Sequence, residues 1–362
     1  MTEQSGRPGW PRRFPPVKKL RDVAETMLLG LLGGAGASAL GMPAAWLTGS
    51  MFLVSIAAIR GRPMSVPHGI AQGSFVVMGL AIGAVVTPET LRGITTWPLS
   101  IAMLLAGMLC IIAGTGYYLR RVHRIDTLTA LYASYPGAIT QVLALAVHGG
   151  VDVRAVALIQ TLRVLILSLG IPYVVLLFGV DVTPAAPPGA ARHIGSLVEI
   201  AALVVLSAGG AWLLRRLRFP GGLVFGAMIS SAALYGSGVV SVAVPEWIVI
   251  GVMVMTGAII GARFADTDMK VLGRLFAAAM GSFVVATAIA AVFAVAASLL
   301  TSVRMADVVL AFSPGALDVN LLLALALGLD PIYIGAHHVA RVTFLSFLLP
   351  IFIRAVKRRR RV

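Results

Sequence analysis

Charged residues are scarce in this sequence, and their scarcity excludes an ordinary soluble protein. Only 12% of the 362 residues are Asp, Glu, Lys or Arg, which is about half the share of a typical soluble domain. Hydrophobic residues make up 59%, and the mean hydropathy is +0.95. The apolar residues form long runs, such as 96–118 and 275–303, and a run of about 20 residues can cross a bilayer. The sequence therefore predicts an all-α polytopic membrane protein in contact with the lipid bilayer.

Cysteine is almost absent, and so are the signatures of catalysis. The single cysteine, Cys110, excludes an intramolecular disulfide. The sequence contains no Walker loop, no dinucleotide fingerprint after a strand and no nucleophile triad. We therefore expect no cofactor, and we predict that the protein is not an enzyme.

Positive charge predominates, with a net charge of +15, but it does not form a nucleic-acid-binding face. Basic residues gather in short loops and at the two ends, which we interpret as basic tails at 1–22 and 356–362. Basic runs beside membrane spans mark the cytoplasmic side. We expect an inner-membrane protein with both termini in the cytoplasm and no nucleic-acid partner.

The first apolar segment, 23–40, imitates a signal peptide with a cleavage site at Ala37-Ser38-Ala39. More membrane sequence follows at once from residue 45. We therefore interpret this segment as an uncleaved span.

The chain contains an internal duplication. YPGA at 135–138 has a twin, SPGA, at 313–316, which lies 178 positions later. The same separation joins Asp152 to Asp330 and Gly150 to Gly328. Further upstream the separation becomes 177, which the insertion of one residue explains. Apolar composition alone would not align Pro, Gly and Asp over so long a span. We predict two membrane repeats, 23–178 and 194–355, joined by a Pro-rich linker at 179–193.

Each repeat contains six apolar segments, which lie roughly at 23–40, 45–59, 69–87, 96–118, 127–148 and 153–178, and at 194–214, 220–236, 246–262, 271–300, 306–327 and 331–355. Basic loops follow the second and fourth segments in the first repeat, but the first and third in the second repeat. Equivalent loops therefore prefer opposite sides, which is typical of the inverted repeats of secondary transporters. Inversion requires an odd number of crossings per repeat, so we expect about ten crossings, with one segment in each repeat failing to cross.

The fifth segment of each repeat is the one broken by Pro-Gly. Its arms, of about 8–12 residues or roughly 12–18 Å, reach only the middle of a bilayer. We interpret these segments as re-entrant hairpins with tips at Pro136-Gly137 and Pro314-Gly315. The alternative is a broken helix that crosses the membrane.

Polar residues at these breaks predict a binding site near the membrane midplane, where opposed tips would meet. A helix that starts after a break offers free N–H groups and a partial positive charge to an anion. A carboxylate in the same turn is either a charge that favours its helix dipole or a cation or proton site. The candidate residues at the breaks are Pro136, Gly137, Thr140, Gln141, Ser313, Pro314, Gly315, Asp318 and Asn320.

The segment after each break carries a second polar cluster. GAHHVAR at 335–341 contains His337, His338 and Arg341, and the first repeat has Gln160 and Arg163 in the corresponding LIQTLR. Each arginine either forms a structural clamp, with the carbonyl groups of a hairpin tip or with Asp318, or binds an anion. Adjacent histidines point to different faces of a helix, and no Cys or carboxylate lies at ligand spacing, so we predict no metal site.

These motifs, PGA after the fourth span and AHHVAR near the end, resemble those of the duplicated membrane AbrB family of Gram-negative bacteria. The resemblance covers about 25–355 and implies a transporter-like membrane fold. The first repeat departs from the second, because YPGAITQV and LIQTLR have no equivalents of the Asp and His residues. The family also carries the labels of gene-expression regulator and ammonia monooxygenase, and no copper-ligand constellation is visible here.

We therefore expect a secondary transporter for a small-molecule or ion substrate, most simply a small anionic solute, that could form a homo-oligomer. A membrane sensor or regulator of gene expression is the alternative, although the sequence offers no large cytoplasmic domain for signalling. A metal-dependent membrane oxidase is a third alternative.

Overall fold

The computed structural model of the protein describes residues 17–85, 97–136, 142–143, 146, 151–178, 196–265, 269–301 and 303–359. Across these ranges the chain forms thirteen α-helices, one short 3-10 turn at Ala262–Phe264, and no strand. The helices are α1 Val17–Ala39, α2 Ala45–Ile59, α3 His68–Gly83, α4 Trp97–Arg121, α5 Thr127–Ser134, α6 Val153–Leu176, α7 Leu197–Arg216, α8 Gly222–Gly236, α9 Glu246–Gly261, α10 Met269–Thr301, α11 Met305–Phe312, α12 Leu317–Ala326 and α13 Pro331–Arg359.

The all-α fold is therefore as predicted, and it has membrane-like helices. Among the described helices, five are long and apolar enough to cross a bilayer, namely Trp97–Arg121, Val153–Leu176, Val198–Arg216, Glu246–Phe264 and Lys270–Thr301. Four shorter apolar helices accompany them: α2, α3, α8 and α12.

The outer surface of α10 is more apolar than a water-facing surface would be. This helix buries a row of alanines, among them Ala279, Ala286 and Ala297, whereas Val292 and Leu299 are 68% and 78% exposed. Small residues facing inward let helices approach closely, and large apolar residues facing outward suit lipid. The arrangement is that of a helix whose outer face lies against hydrocarbon.

Glycines set the closest helix contacts, and the two repeats make the same contacts reciprocally. A Cβ added at Gly79 on α3 would lie 2.2 Å from the carbonyl oxygen of Val224 on α8. A Cβ added at Gly257 on α9 would lie 2.5 Å from the carbonyl oxygen of Leu47 on α2. These residues are duplicates of one another, so each repeat places its third helix on the second helix of the other repeat.

The predicted helix break in the second repeat is present. Helix α11 ends at Phe312 and α12 begins at Leu317, with SPGA between them. In the first repeat α5 ends at Ser134, and Pro136 is buried. The predicted site residues Gly137, Thr140 and Gln141 lie outside the described residues.

The broken segment folds back so that its two ends meet. The backbone N–H of Asp330, just after α12, donates to Asp307 Oδ1 at the start of α11 at 2.7 Å. In the first repeat, the N–H of Asp152 donates to Thr129 Oγ1 at 3.1 Å. The pairs 129/307 and 152/330 are both duplicates, so the same closure is built twice, with a carboxylate in one copy and a hydroxyl in the other.

Several helices extend beyond the predicted segments, and α1 and α13 extend furthest. Helix α1 begins at Val17 rather than 23, and α13 runs to Arg359 rather than 355. The added residues are mostly Lys, Arg and Leu, which are good helix formers. Hydrophobicity identifies the apolar part of a helix but not its charged end.

The reciprocal glycine contact predicts opposite effects for one substitution at two positions of α3. Gly79→Ala should destabilise the protein by about 1–3 kcal/mol, because the methyl group would overlap the Val224 carbonyl. Gly73→Ala is the matched control, since a Cβ there meets nothing within 4 Å. It should stabilise the helix by about 0.5–1 kcal/mol. Thermal unfolding in detergent measures both, and equal effects of the two changes would contradict the reciprocal packing.

Candidate functional site

A buried arginine holds the broken end of α11. Arg341, on α13, donates from Nη1 to the carbonyl oxygen of Ser313 at 2.6 Å and from Nη2 to that of Gly315 at 2.8 Å. Both carbonyl groups belong to the break, where no helical N–H can reach them. Backbone groups left unpaired at membrane depth are costly. Arg341 is 0% exposed, so its guanidinium replaces the missing helical partners inside the protein.

The first repeat contains the same clamp. Arg163, on α6, donates from Nη2 to the carbonyl oxygen of Tyr135 at 3.0 Å. Gln160 donates from Nε2 to the carbonyl oxygen of Tyr132 at 2.7 Å, and its duplicate His338 has Nε2 3.4 Å from the carbonyl oxygen of Leu310. The sequence left clamp and anion binding open for the arginines, and the geometry contains the clamp.

The clamps do not use all of the arginine donors. Arg163 Nε and Nη1, and Arg341 Nε, have no hydrogen-bond partner among the described residues. Both guanidinium groups are buried, since Arg163 is 1% and Arg341 is 0% exposed. In the described part of the chain, no carboxylate forms an ion pair with either arginine; the ion pairs there join Arg62 to Glu25 and Arg304 to Asp307. The described part of the core therefore holds two buried arginines without a counter-ion.

His338 links the clamp to α12, and its hydrogen bonds define its tautomer. Its Nδ1 lies 2.5 Å from Arg341 Nη2, which can only donate, so Nδ1 must be an acceptor. Neutral His338 then carries its proton on Nε2, which lies 2.9 Å from the side-chain amide of Asn320. The atom of Asn320 at this position, which also lies 2.6 Å from Ser313 Oγ, is Nδ2. The oxygen and nitrogen of an amide are assigned from their hydrogen bonds, and a proton on His338 Nε2 requires the two atoms to be exchanged so that the oxygen accepts it. If His338 were protonated, Nδ1 would carry a hydrogen and would face Arg341 Nη2, so that two donors would lie together.

His337 belongs to a different environment. Its Nδ1 donates to the carbonyl oxygen of Tyr333 at 2.8 Å, which leaves Nε2 to accept from Ser100 Oγ at 2.7 Å. Tyr333 also packs against Trp97, with ring centroids 6.0 Å apart. Helix α4 is thereby joined to α13. Within the described residues no group of three or more His, Cys, Asp or Glu side chains could hold a metal ion.

Asp318 lies apart from the clamp, although it is only two residues from Asn320. It is partly exposed and lines a cavity of about 460 Å³ together with Arg215, Arg218 and Arg263. The structure thus brings Ser313, Gly315, Asn320, His338 and Arg341 together, and it separates Asp318 and His337 from them.

Sequence reasoning used the three cavity arginines only as markers of orientation. It also missed Ser100 and Tyr333, because a serine in an apolar span and a tyrosine in a helix carry no signal of their own. The arginines did carry a signal. Arg218 occupies a position where the duplicate residue is Gly41, and a charge present in only one copy marks a difference of role.

The duplicated clamp predicts which substitution His338 tolerates. His338→Gln should retain nearly all of the stability, because Gln160 makes the equivalent contact in the first repeat. His338→Leu should cost about 1–3 kcal/mol, because Arg341 and Asn320 would lose a buried partner. Thermal unfolding of both purified variants provides the comparison. A glutamine variant as unstable as the leucine variant would show that the two copies are not interchangeable.

Fold and site together define an all-helical, membrane-type protein with two arginine-clamped helix breaks. The family described as "Transition state regulatory protein AbrB" matches residues 46–357. The chain belongs to this AbrB family, as its motifs suggested.

Two relatives align with most of the chain. The Escherichia coli (strain K12) protein named "Putative regulator AbrB" is 27% identical over 340 residues, which is 91% of this chain and 94% of the relative. The Bacillus subtilis (strain 168) protein named "Uncharacterized protein YhjN" is 25% identical over 346 residues, covering 89% of this chain and 90% of the relative.

Proposed function

We propose that the protein is a secondary transporter that binds a small anionic solute between two re-entrant hairpin tips near the midplane of the inner membrane. The observation that carries the proposal is the pair of buried arginines, Arg163 and Arg341, each with an N–H group that no described residue accepts. No cofactor and no catalytic step are part of the proposal.

The closure of each broken segment supports hairpins rather than crossing helices. Asp330 contacts Asp307, and Asp152 contacts Thr129. The beginning and the end of each broken segment therefore lie side by side at the same level, as in a hairpin. Arms of 8 residues in α5 and α11 and 10 in α12 are also too short to span a bilayer. With these segments re-entrant, each repeat has five crossings, and the repeats are inverted with both termini in the cytoplasm.

The charge of the core supports an anionic solute. A buried cation is costly unless it is paired. The carbonyl groups of Tyr135, Ser313 and Gly315 solvate the two guanidiniums only in part. A carboxylate or similar anion would neutralise the charge and accept the remaining N–H groups, for which the planar guanidinium is well suited.

Regulation of gene expression is the second candidate function. It is favoured by the family description and by the name of the Escherichia coli relative. Uptake by proteoliposomes that contain only the purified protein separates the two, since a regulator that acts through a partner would move no solute there.

The proposed inversion predicts the sides of two equivalent positions, Val122 and Leu300, which are 61% and 64% exposed. They lie 178 residues apart, near the ends of α4 and α10. Val122→Cys and Leu300→Cys, each in a Cys110→Ala background, should react with a membrane-impermeant thiol reagent from opposite sides of the membrane. Labelling of both from the same side would rule out inverted repeats.

The anion site predicts a loss of transport when Arg341 becomes lysine. Arg341→Lys keeps the charge but loses the planar fork, and a lost charged hydrogen bond of roughly 1.5–3 kcal/mol should weaken apparent affinity about tenfold or more. The measurement is uptake of radiolabelled succinate, citrate and phosphate into proteoliposomes, with Arg216→Lys as the exposed control.

Melting temperature must be measured on the same Arg341→Lys protein, because the arginine also clamps the break. Weaker uptake at an unchanged melting temperature supports the anion site. Lower stability at unchanged affinity would show that Arg341 is only a structural clamp. If the wild-type protein transports none of the three anions, the proposal is contradicted.

A further inference from the structure

A second concentration of positive charge lies outside the clamp, in the cavity of about 460 Å³ introduced above. Its arginines come from three separate places: Arg215 from the last turn of α7, Arg218 from the loop before α8, and Arg263 from the 3-10 turn after α9. Asp318 supplies one negative charge, so three cations and one anion face the same space. The cavity also borders the N-terminus of α8, where Gly221 provides no side-chain cap.

The first repeat forms the corresponding cavity without arginines. This second cavity has a volume of about 650 Å³ and is lined by Gly41 and Val85, which occupy the positions of Arg218 and Arg263. The position of Arg215 is taken by Ser38. The fold therefore does not need arginine at any of these positions. The duplicate serves as an internal control, because it forms a cavity at the corresponding place without these arginines.

Backbone conformation provides independent support at Arg218. This residue has φ of 56°, in the left-handed region that favours glycine, and its duplicate Gly41 has φ of 65°. A non-glycine residue in this region is strained, and strain of this kind is concentrated at functional sites. Arginine thus occupies a place where glycine would be the more stable choice.

Basic residues in loops on one side of a membrane also help to orient a protein in the bilayer, but this role requires only that they lie on that side. It does not require arginines from three separate places in the fold to line one cavity. Arg215 is held in place by donating from Nη1 to Gln72 Oε1 on α3 at 2.8 Å. Convergence, strain and the arginine-free duplicate together call for a negatively charged occupant.

We propose that the cavity lined by Arg215, Arg218 and Arg263 binds a phosphate or carboxylate anion. The group is either a free solute anion or the headgroup of an anionic phospholipid, since the two share this chemistry. Asp318, in the first turn of α12, also lines the cavity, and its negative charge opposes the bound anion. The site is separate from the Arg163–Arg341 clamp, so its existence does not depend on transport.

The test measures binding of inorganic phosphate to the full chain, purified in non-ionic detergent without anionic lipid, by equilibrium dialysis of the radiolabelled anion. Arg218→Gly and Arg263→Val introduce the residues of the first repeat, and each should weaken phosphate binding about tenfold. Asp318→Asn should strengthen it. Arg216→Gln, on the same helix as Arg215 but outside the cavity lining, should leave it unchanged.

Stability separates a binding role from a structural one. Without ligand, Arg218→Gly should raise the melting temperature by about 2 °C, because it relieves the left-handed strain. A structural arginine would give the opposite sign. Loss of phosphate binding together with a gain of stability is the result expected of a residue retained for its ligand.

A parallel titration with short-chain phosphatidylglycerol, and with phosphatidylcholine as the neutral control, identifies the source of the anion. Dependence of phosphate binding on Arg218 and Arg263 assigns the site to a free anion. If only the binding of phosphatidylglycerol depends on these residues, the site is assigned to a lipid headgroup. If neither probe distinguishes the wild type from Arg218→Gly and Arg263→Val, the proposal is overturned. Arg341→Lys should leave either result unchanged, so failure here is distinguishable from failure of the central site.

Discussion

The hydrogen bonds from Arg341 to the carbonyl groups of Ser313 and Gly315 hold together the least favourable part of the fold. A helix broken by Pro-Gly exposes backbone acceptors that hydrocarbon cannot satisfy. The guanidinium satisfies two of them, His338 and Asn320 extend the network to α12, and the closure between Asp307 and Asp330 fixes the other end of the segment. The arginine brings a charge that the described protein does not neutralise. The same arginine that satisfies the broken backbone is therefore the basis of the anion site proposed above.

Because the chain is duplicated, each copy shows what the fold requires of the other. The arginine clamp and the close glycine contacts occur in both copies, so they belong to the architecture. His338 in place of Gln160, and Arg218 in place of Gly41, occur in only one copy. These differences place an imidazole at one break and positive charge in one cavity.

Much of the helical arrangement could be predicted from the sequence, because hydrophobic runs and Pro-Gly breaks are local signals. The 178-residue repeat also paired Arg163 with Arg341 before any contact was known. The direction of each polar side chain was harder to predict. Asp318 and Asn320 are two residues apart, which is about 200° around a helix, so one faces the arginine-lined cavity and the other faces His338. Arg263 lines the same cavity as Arg215 and Arg218, although it follows a different helix, and no local sequence pattern contains that arrangement.

The central claim is that the two clamp arginines share an anion. Selenate is a compact oxyanion whose anomalous scattering locates it without reference to the protein model. In crystals of the protein grown with selenate, the account predicts an anomalous peak within hydrogen-bonding distance of the guanidinium groups of Arg163 and Arg341. An anomalous map without that peak, with protein acceptors occupying the remaining N–H groups of both arginines, would contradict it.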